Sequence, residues 1–144
     1  NFSLKDGPPP EINLLNEKNN GLAVLELIKK GIALSVHDIS SGGMLVSLAE
    51  MSMSSGLGLK INKPKKLKNF YEYFFGEDQG RYLIEISKNN LKTVEVFFKK
   101  NNIFHEIIAE VQNDTFEIES IFSLKTKDLQ ICNNQWYNKF NAIN

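Results

Sequence analysis

Residues that build metal centres and disulfides are scarce in this 144-residue sequence. It contains one cysteine, Cys132, and two histidines, His37 and His105. A single cysteine cannot form an intramolecular disulfide, and these three side chains are too few for the usual four-ligand zinc site. We therefore expect no metal ligands in the chain, and the cysteine content favours a reducing, cytoplasmic location.

The sequence also lacks an excess of either charge and any long hydrophobic run. Its 17 basic and 17 acidic side chains cancel, whereas a surface that binds nucleic acid or anionic lipid normally carries a basic excess. No apolar segment approaches the roughly 18 residues of a membrane-spanning helix, and the N-terminus lacks the basic-then-apolar pattern of a secretion signal. These absences predict no nucleic-acid partner and no membrane segment.

The first ten residues differ in composition from the rest. They read NFSLKDGPPP, and three consecutive prolines forbid a helix and favour an extended segment. We expect residues 1–10 to be a linker from a missing upstream domain, and residues 11–144 to form one domain. The first residue is not methionine, which also indicates a piece of a longer protein.

Hydrophobic periodicity predicts an α+β fold, as a two-layer α/β domain with helices packed on one face of a mixed sheet. The first predicted helix carries the apolar stripe Leu22, Leu25 and Ile28, widened by Val24. The last two predicted strands are joined through the sequence NDT, which favours a hairpin. The predicted elements are helices at 12–30, 43–55 and 89–102, strands at 32–39, 56–61, 81–87, 103–112 and 115–122, an aromatic helix or strand at 69–75, and a short terminal helix that docks Trp136, Tyr137 and Phe140.

Two adjacent glycines stand between the first predicted strand and the second predicted helix, in the sequence HDISSGG. A helix N-terminus exposes unpaired N–H groups and about half a positive charge, so this turn could bind a phosphate without a lysine. The Gly-Lys-Ser/Thr ending of a Walker loop is missing, and paired glycines equally allow a helix to pack closely on a strand. The residues alone leave the two interpretations equal. Asp38, which ends the strand, is a candidate ligand for a metal or ribose hydroxyl, although a capping role is favoured.

A second polar turn, FFGEDQGR, precedes the strand at 81–87. Its carboxylates and amide could bind a hydroxyl-bearing ligand, and Arg81 could hold an anion in a bidentate contact. The alternative is a solvated loop with an internal ion pair, Glu77 with Arg81 or Asp78 with Arg81, and the residues alone favour that alternative. His37 is a candidate general base, but no nucleophile is identifiable beside it, so a structural role is favoured.

Taken together, the segments SVHDISSGGMLVSLAEM and FGEDQGRYLIEIS resemble the C-terminal domain of the aminoimidazole ribonucleotide synthase-related superfamily. Within it, they are most similar to the last domain of the large, synthetase subunit of phosphoribosylformylglycinamidine synthase. The segment GPPPEINLLNEK ahead of the first helix extends the resemblance over nearly the whole chain. Such proteins pair an N-terminal domain, whose strands build a central barrel, with a C-terminal α/β domain of this kind.

The resemblance implies a part in an ATP-dependent, cytoplasmic ligase of de novo purine biosynthesis. That enzyme uses ATP and Mg²⁺ to phosphorylate the formamide oxygen of formylglycinamide ribonucleotide, and glutamine-derived ammonia then displaces the phosphate to give the amidine. The implied partners are the N-terminal domains of the parent chain and a glutaminase subunit or domain. The fragment by itself is expected to be inactive, to hold no cofactor tightly and to be able to self-associate.

The resemblance also assigns residues, none of them catalytic and none of them metal ligands. Three positions depart from the family pattern: Asp78 stands where the family has serine, Ser41 where it often has an acid, and Val36 where it often has alanine. An added carboxylate at Asp78 would repel a phosphate. The implied nucleotide- or phosphate-binding residues are Asp38, Ser40, Gly42 and Gly43, and the substrate-cleft candidates are Glu77, Gln79 and Arg81.

Two alternatives stay open at this point. The chain could be the C-terminal domain of a related enzyme that resembles selenophosphate synthetase or thiamine-phosphate kinase. It could also be a stand-alone interaction module, in which the glycine turn serves packing alone.

Overall fold

A computed structural model of the protein describes residues 11–64 and 69–141. The predicted linker at 1–10 and residues 65–68, which belong to the lysine-rich sequence KPKKLK, therefore lie outside the described residues. The elements in chain order are α1 (Leu14–Lys29), β1 (Ala33–Asp38), α2 (Gly43–Ser55), β2 (Gly58–Ile61), α3 (Phe70–Phe75), β3 (Tyr82–Ile86), a 3₁₀ turn (Lys88–Asn90), α4 (Leu91–Lys100), β4 (Ala109–Gln112), β5 (Thr115–Ile118), β6 (Phe122–Lys125) and α5 (Thr126–Asn141).

These elements form two compact units. Unit 1 contains the described residues of 11–40 and 78–103, and unit 2 contains those of 41–77 and 104–141. Both units contain helices and strands, which confirms the predicted α+β class. Within the described ranges, no helix combines the length and the hydrophobicity needed to span a membrane.

Unit 1 is built on an antiparallel ladder of β1 and β3. Its apolar cluster joins α1 to α4 and consists of Ala23, Leu27, Val94 and Phe98, with Ile84 and Ile86 of β3 packed against it. The side chain of Asn13 caps α1 by accepting the N–H of Asn16 at 3.0 Å.

The buried face of α1 is not the predicted one. Ala23, Val24 and Leu27 are buried, whereas Leu22, Leu25 and Ile28 are 54%, 42% and 49% exposed. The prediction is wrong for Leu22, Leu25 and Ile28 and correct for Val24. Since α1 carries apolar residues on two faces, helical spacing alone does not say which face packs on the core.

Unit 2 contains a four-stranded sheet in the order β4, β2, β5, β6. Strand β2 pairs antiparallel with β4 and parallel with β5, so the prediction of a mixed sheet is confirmed here. Alternate residues of the two central strands are buried: Leu59 and Ile61 in β2, Phe116 and Ile118 in β5.

The predicted hairpin between 103–112 and 115–122 is wrong. Strands β4 and β5 lie on opposite sides of β2, and the two residues that join them cross over its first residue, Gly58. The N–H of Gly58 donates to Asn113 O at 2.9 Å, and a Cβ at Gly58 would lie 2.2 Å from Thr115 O. The hairpin of this sheet is instead β5–β6, with a turn in which Ser120 has a φ of 62°.

Unit 2 also contains the aromatic run at 69–75 and the terminal helix. The aromatic run folds as helix α3, which Asn69 caps through its side-chain oxygen. The terminal helix is longer than expected, 16 residues, and begins at Thr126. Its aromatic residues do not dock on the body, because Trp136 and Phe140 are 62% and 61% exposed.

Candidate functional site

The first predicted motif forms the start of α2 in unit 2. Gly42 is the N-cap residue with a φ of 85°, and Gly43, the first helical residue, has a φ of 72°. Both values lie in the left-handed region that glycine adopts readily. Gly42 has no side chain with which to cap the helix, and the first turn of α2 contains no acidic residue. The N–H of Gly42 donates instead to Glu77 Oε1 at 2.7 Å.

Gly43 is buried against the end of α3. A Cβ at this position would lie 2.6 Å from the Cα and carbonyl carbon of Phe75 and 2.9 Å from Gly76 O. These neighbours are backbone atoms, which cannot move aside as a flexible side chain can. The absence of a side chain at Gly43 is therefore required by packing, whatever this turn binds.

The remaining residues of the first motif lie at the end of β1 in unit 1. Asp38 is the last residue of β1 and pairs with Tyr82 of β3; the ladder is extended by the N–H of Ile39, which donates to Arg81 O at 2.9 Å. The Asp38 side chain is 71% exposed. His37 Nδ1 lies 2.5 Å from Asp38 O.

The second motif contributes Asp78, Gln79 and Arg81 to the same end of the ladder. Arg81 Nη2 lies 3.4 Å from Asp78 Oδ2, so the expected internal pair forms through Asp78. Asp78 O is also 3.5 Å from Arg81 Nε. Gln79 is exposed. The Arg81 side chain is 31% exposed, so it is held by its neighbour and still reaches the surface.

The sequence did not reveal what supports this turn. Gly80 has a φ of 69° and packs on α1, where a Cβ would lie 3.2 Å from the Cα of Glu17. Asn20 Nδ2 donates to Gly80 O at 3.0 Å. Asn20 and Glu17 stand sixty positions or so before the turn, and no local pattern links them to it.

The structure thus brings together some of the predicted residues. Glu77 contacts Gly42 in unit 2, and Asp38 lies one ladder position from Arg81 in unit 1. Ser40 and Ser41 are exposed. Within the residues that the structure describes, no group of three or more His, Cys, Asp or Glu side chains could hold a metal ion.

Two open depressions on unit 2 lie away from these motifs. One, of about 410 Å³, borders the β5–β6 turn, and the other, of about 520 Å³, borders the start of α5. Asp114 and Lys125 line the second, with Lys125 Nζ 2.8 Å from Asp114 Oδ2. The hydrogen bond from Lys125 lowers the pKa of Asp114 below its ordinary value. Neither depression includes a residue that the sequence singled out, so the motifs are the better candidates for function.

Similar proteins are known across nearly the whole chain. Phosphoribosylformylglycinamidine synthase subunit PurL of Pelagibacter ubique is 40% identical over 136 residues, which is 94% of this chain and 19% of that protein. The subunit of the same name from Bartonella bacilliformis is 36% identical over 139 residues, 96% of this chain and 19% of that protein. The chain therefore spans about a fifth of the length of these curated relatives.

Solved structures from Thermotoga maritima share the fold. The structure of PurLQS has a TM-score of 0.71 at 19% identity and covers 83% of this chain and 22% of that chain. T. maritima PurL complexed with FGAR has a TM-score of 0.67 at 20% identity and covers 79% of this chain and 21% of that chain. The resemblance inferred from the two motifs is confirmed. Since the profile of AIR synthase related protein, C-terminal domain, matches residues 2–120, the chain belongs to that family.

Proposed function

We propose that the chain is the C-terminal domain of the synthetase subunit of phosphoribosylformylglycinamidine synthase. That ligase converts formylglycinamide ribonucleotide to the amidine with ATP, Mg²⁺ and glutamine-derived ammonia. The observation that carries the proposal is the 40% identity to a PurL subunit over 94% of the chain. The contact between Gly42 of the first motif and Glu77 of the second supports it.

In this proposal the chain supplies ligand-facing residues and no chemical step. Asp38, the last residue of β1, and Ser40, two residues beyond it, are exposed, and Arg81 has a partly exposed side chain whose guanidinium suits an anionic ligand. Gln79, also exposed, is a further substrate-facing candidate. We propose that the Mg²⁺ ligands lie in other domains of the parent protein, as the resemblance implies.

The glycine turn does not fit a phosphate as it stands. The Gly42 N–H, one of the donors that this turn could offer to a phosphate, is already engaged by the carboxylate of Glu77. We therefore derive no phosphate contact from Gly42 and Gly43.

The outer face of α1 supports a place within a longer polypeptide. This face carries aliphatic side chains that are 42–74% exposed, although the opposite face of the same helix is buried. A group of exposed aliphatic side chains on one helix face is typical of a surface that another part of the protein covers. We propose that other domains of the parent chain cover this face, which consists of Leu14, Leu15, Leu22, Leu25 and Ile28.

The proposal is tested by joining the chain to the rest of a PurL subunit. We expect the chain alone to form no amidine from formylglycinamide ribonucleotide, ATP and ammonia, and a PurL subunit in which it replaces the corresponding region to form it. ATP-dependent turnover by the chain alone, or an inactive but folded chimaera, would contradict the proposal.

The covered face is tested in the same chimaera. Replacing Leu22 and Leu25 with serine is expected to weaken the self-association of the isolated chain and to lower the thermal stability of the chimaera by several degrees. Val96→Ser, at a 59% exposed position of α4, is the control. Equal self-association and stability in all of these proteins would contradict a covered α1 face.

A further inference from the structure

The N-terminus of α2 lacks the side chains that normally stabilise a helix start. In a capping box, the N-cap side chain accepts an N–H of the first turn, and a Glu or Gln at the third helical position accepts the N–H of the N-cap residue. Here the N-cap is Gly42, which has no side chain, and the third helical position is Leu45. Neither half of the box is present within α2 itself.

Glu77 supplies one half from a distant part of the sequence. Its Oε1 accepts the N–H of Gly42 at 2.7 Å, which is the contact that a glutamate at the third helical position would make. The contact is charge-assisted, and the carboxylate lies at the positive end of the α2 dipole. The chain just before Glu77 is fixed as well, because Gly43 packs on the backbone of Phe75 and Gly76.

The acid next to Glu77 has a different partner. Asp78 pairs with Arg81 in unit 1, so the two adjacent carboxylates of the second motif do not share one role. The motif by itself suggests that Glu77 and Asp78 both bind substrate. Their contacts within the chain favour a structural role for each of them instead.

We infer that Glu77 is a positioning residue that fixes the Gly42–Gly43 turn by capping α2 from outside the helix. It acts through Gly42 and does not contact a ligand. The inference rests on the proposed function only where it concerns ligand binding; the capping contact is a property of this chain.

The first test measures amide hydrogen exchange of Gly42 in the chain by NMR. We expect Glu77→Ala to raise the exchange rate roughly fivefold, the ratio that corresponds to the stabilisation typical of a helix cap. Glu77→Gln keeps an oxygen acceptor without the charge, and we expect a rise of about twofold. The matched control, Glu119→Ala, removes an exposed carboxylate in the β5–β6 turn and should leave Gly42 unchanged.

An equal Gly42 exchange rate in the wild-type chain and in Glu77→Ala would overturn the inference, and so would a Gln variant that exchanges as fast as the Ala variant. Should Glu77→Ala not fold, the Gln variant decides alone, because an unchanged Gly42 exchange rate there contradicts the contact.

The second test separates positioning from ligand contact in the active chimaera. If Glu77 is a positioning residue, the KM values of Glu77→Gln for ATP and for formylglycinamide ribonucleotide should stay close to those of the wild type. Glu77→Ala should raise at least one of these two KM values several-fold. A residue that contacts a ligand through its charge would lose as much in the Gln variant as in the Ala variant. If the chimaera makes no amidine at all, the proposed function fails while the Gly42 measurement still decides the capping role.

Discussion

The two ends of α2 both use a left-handed glycine, and they use it for different reasons. At the N-terminus, Gly42 and Gly43 are crowded, by the Val46 side chain in one case and the Phe75 backbone in the other. At the C-terminus, Gly56 has a φ of 74° and a Cβ there would meet no atom within 4 Å. The first end needs glycine for its conformation and its size, whereas the second needs it for its conformation alone.

At the C-terminal end of α2, side chains form the stabilising hydrogen bonds. Ser52, which is buried, donates to Leu57 O at 2.5 Å, and Thr126 Oγ1 donates to the same oxygen at 3.2 Å. Gln130 Nε2 also donates to Met53 O at 2.6 Å. One end of α2 is therefore held by close backbone approach and the other by hydrogen bonds to α5, and substitutions should separate the two.

Gly43→Ala is expected to have the largest effect. The new methyl group would meet the Phe75 backbone at 2.6 Å, and alanine disfavours a φ of 72°. The two costs together amount to about 3 kcal/mol in the free energy of unfolding. Chemical denaturation measures this change in the free energy of unfolding. A loss below about 1 kcal/mol would contradict a steric clash between a side chain at position 43 and the Phe75 backbone.

Ser52→Ala tests the hydrogen-bonded end. It removes a buried hydroxyl that contacts Leu57 O and Thr126 Oγ1, and we expect a loss of about 1.5 kcal/mol in the free energy of unfolding. The exposed Ser54→Ala, in the same turn of α2, serves as the control and should change stability little. Equal effects from both substitutions would show that the hydroxyl network does not hold α5.

Gly56→Ala isolates the conformational cost. Since no neighbour lies within 4 Å of the added methyl group, only the positive φ opposes it, and we expect a loss of about 1 kcal/mol. The difference between Gly43→Ala and Gly56→Ala, measured under identical conditions, then estimates the steric part at Gly43. A difference near zero would remove the contrast between the two ends.

The smallest effect is expected from Asp114, beside the start of α5. Its folded-state pKa is lowered, mainly by the hydrogen bond from Lys125, so its contribution to stability is present above the unfolded value of 3.8 and is lost as the pH falls through the folded value. The wild-type chain should therefore be slightly more stable than Asp114→Asn near neutral pH, and the difference should shrink below pH 3.8. Thermal melts across this range check the sign, which a constant difference would contradict.

The contrast at α2 also shows how far the sequence alone could lead. The bounds 43–55 were predicted correctly because two glycines precede an apolar run and a third glycine follows it, all of them local signals. The Asp78–Arg81 pair was among the predicted alternatives for the same reason, since its members are three positions apart. The contact of Gly42 with Glu77 was not predicted, because nothing in either segment specifies that they meet.

Non-local features account for the wrong predictions as well. The sequence NDT has the composition of a hairpin turn, yet strand pairing depends on β2, which stands far earlier in the chain. The stripe of Leu22, Leu25 and Ile28 has a helical period, but the opposite face of α1 is also apolar and is the one that packs. In both cases the local pattern is present in the sequence. The packing, however, is decided by residues elsewhere in the chain, which the pattern does not identify.

The crossing at Gly58 has a consequence for the order in which unit 2 assembles. The β5–β6 hairpin closes a short loop, and such hairpins form in about 1–10 μs. Strand β2 must instead insert between β4 and β5, which come much later in the chain. Gly58, at the start of β2, has no side chain and so leaves room for the connection between β4 and β5. Because closing long loops before any pairing is gained slows folding, we expect the insertion of β2 to limit the folding rate of this sheet.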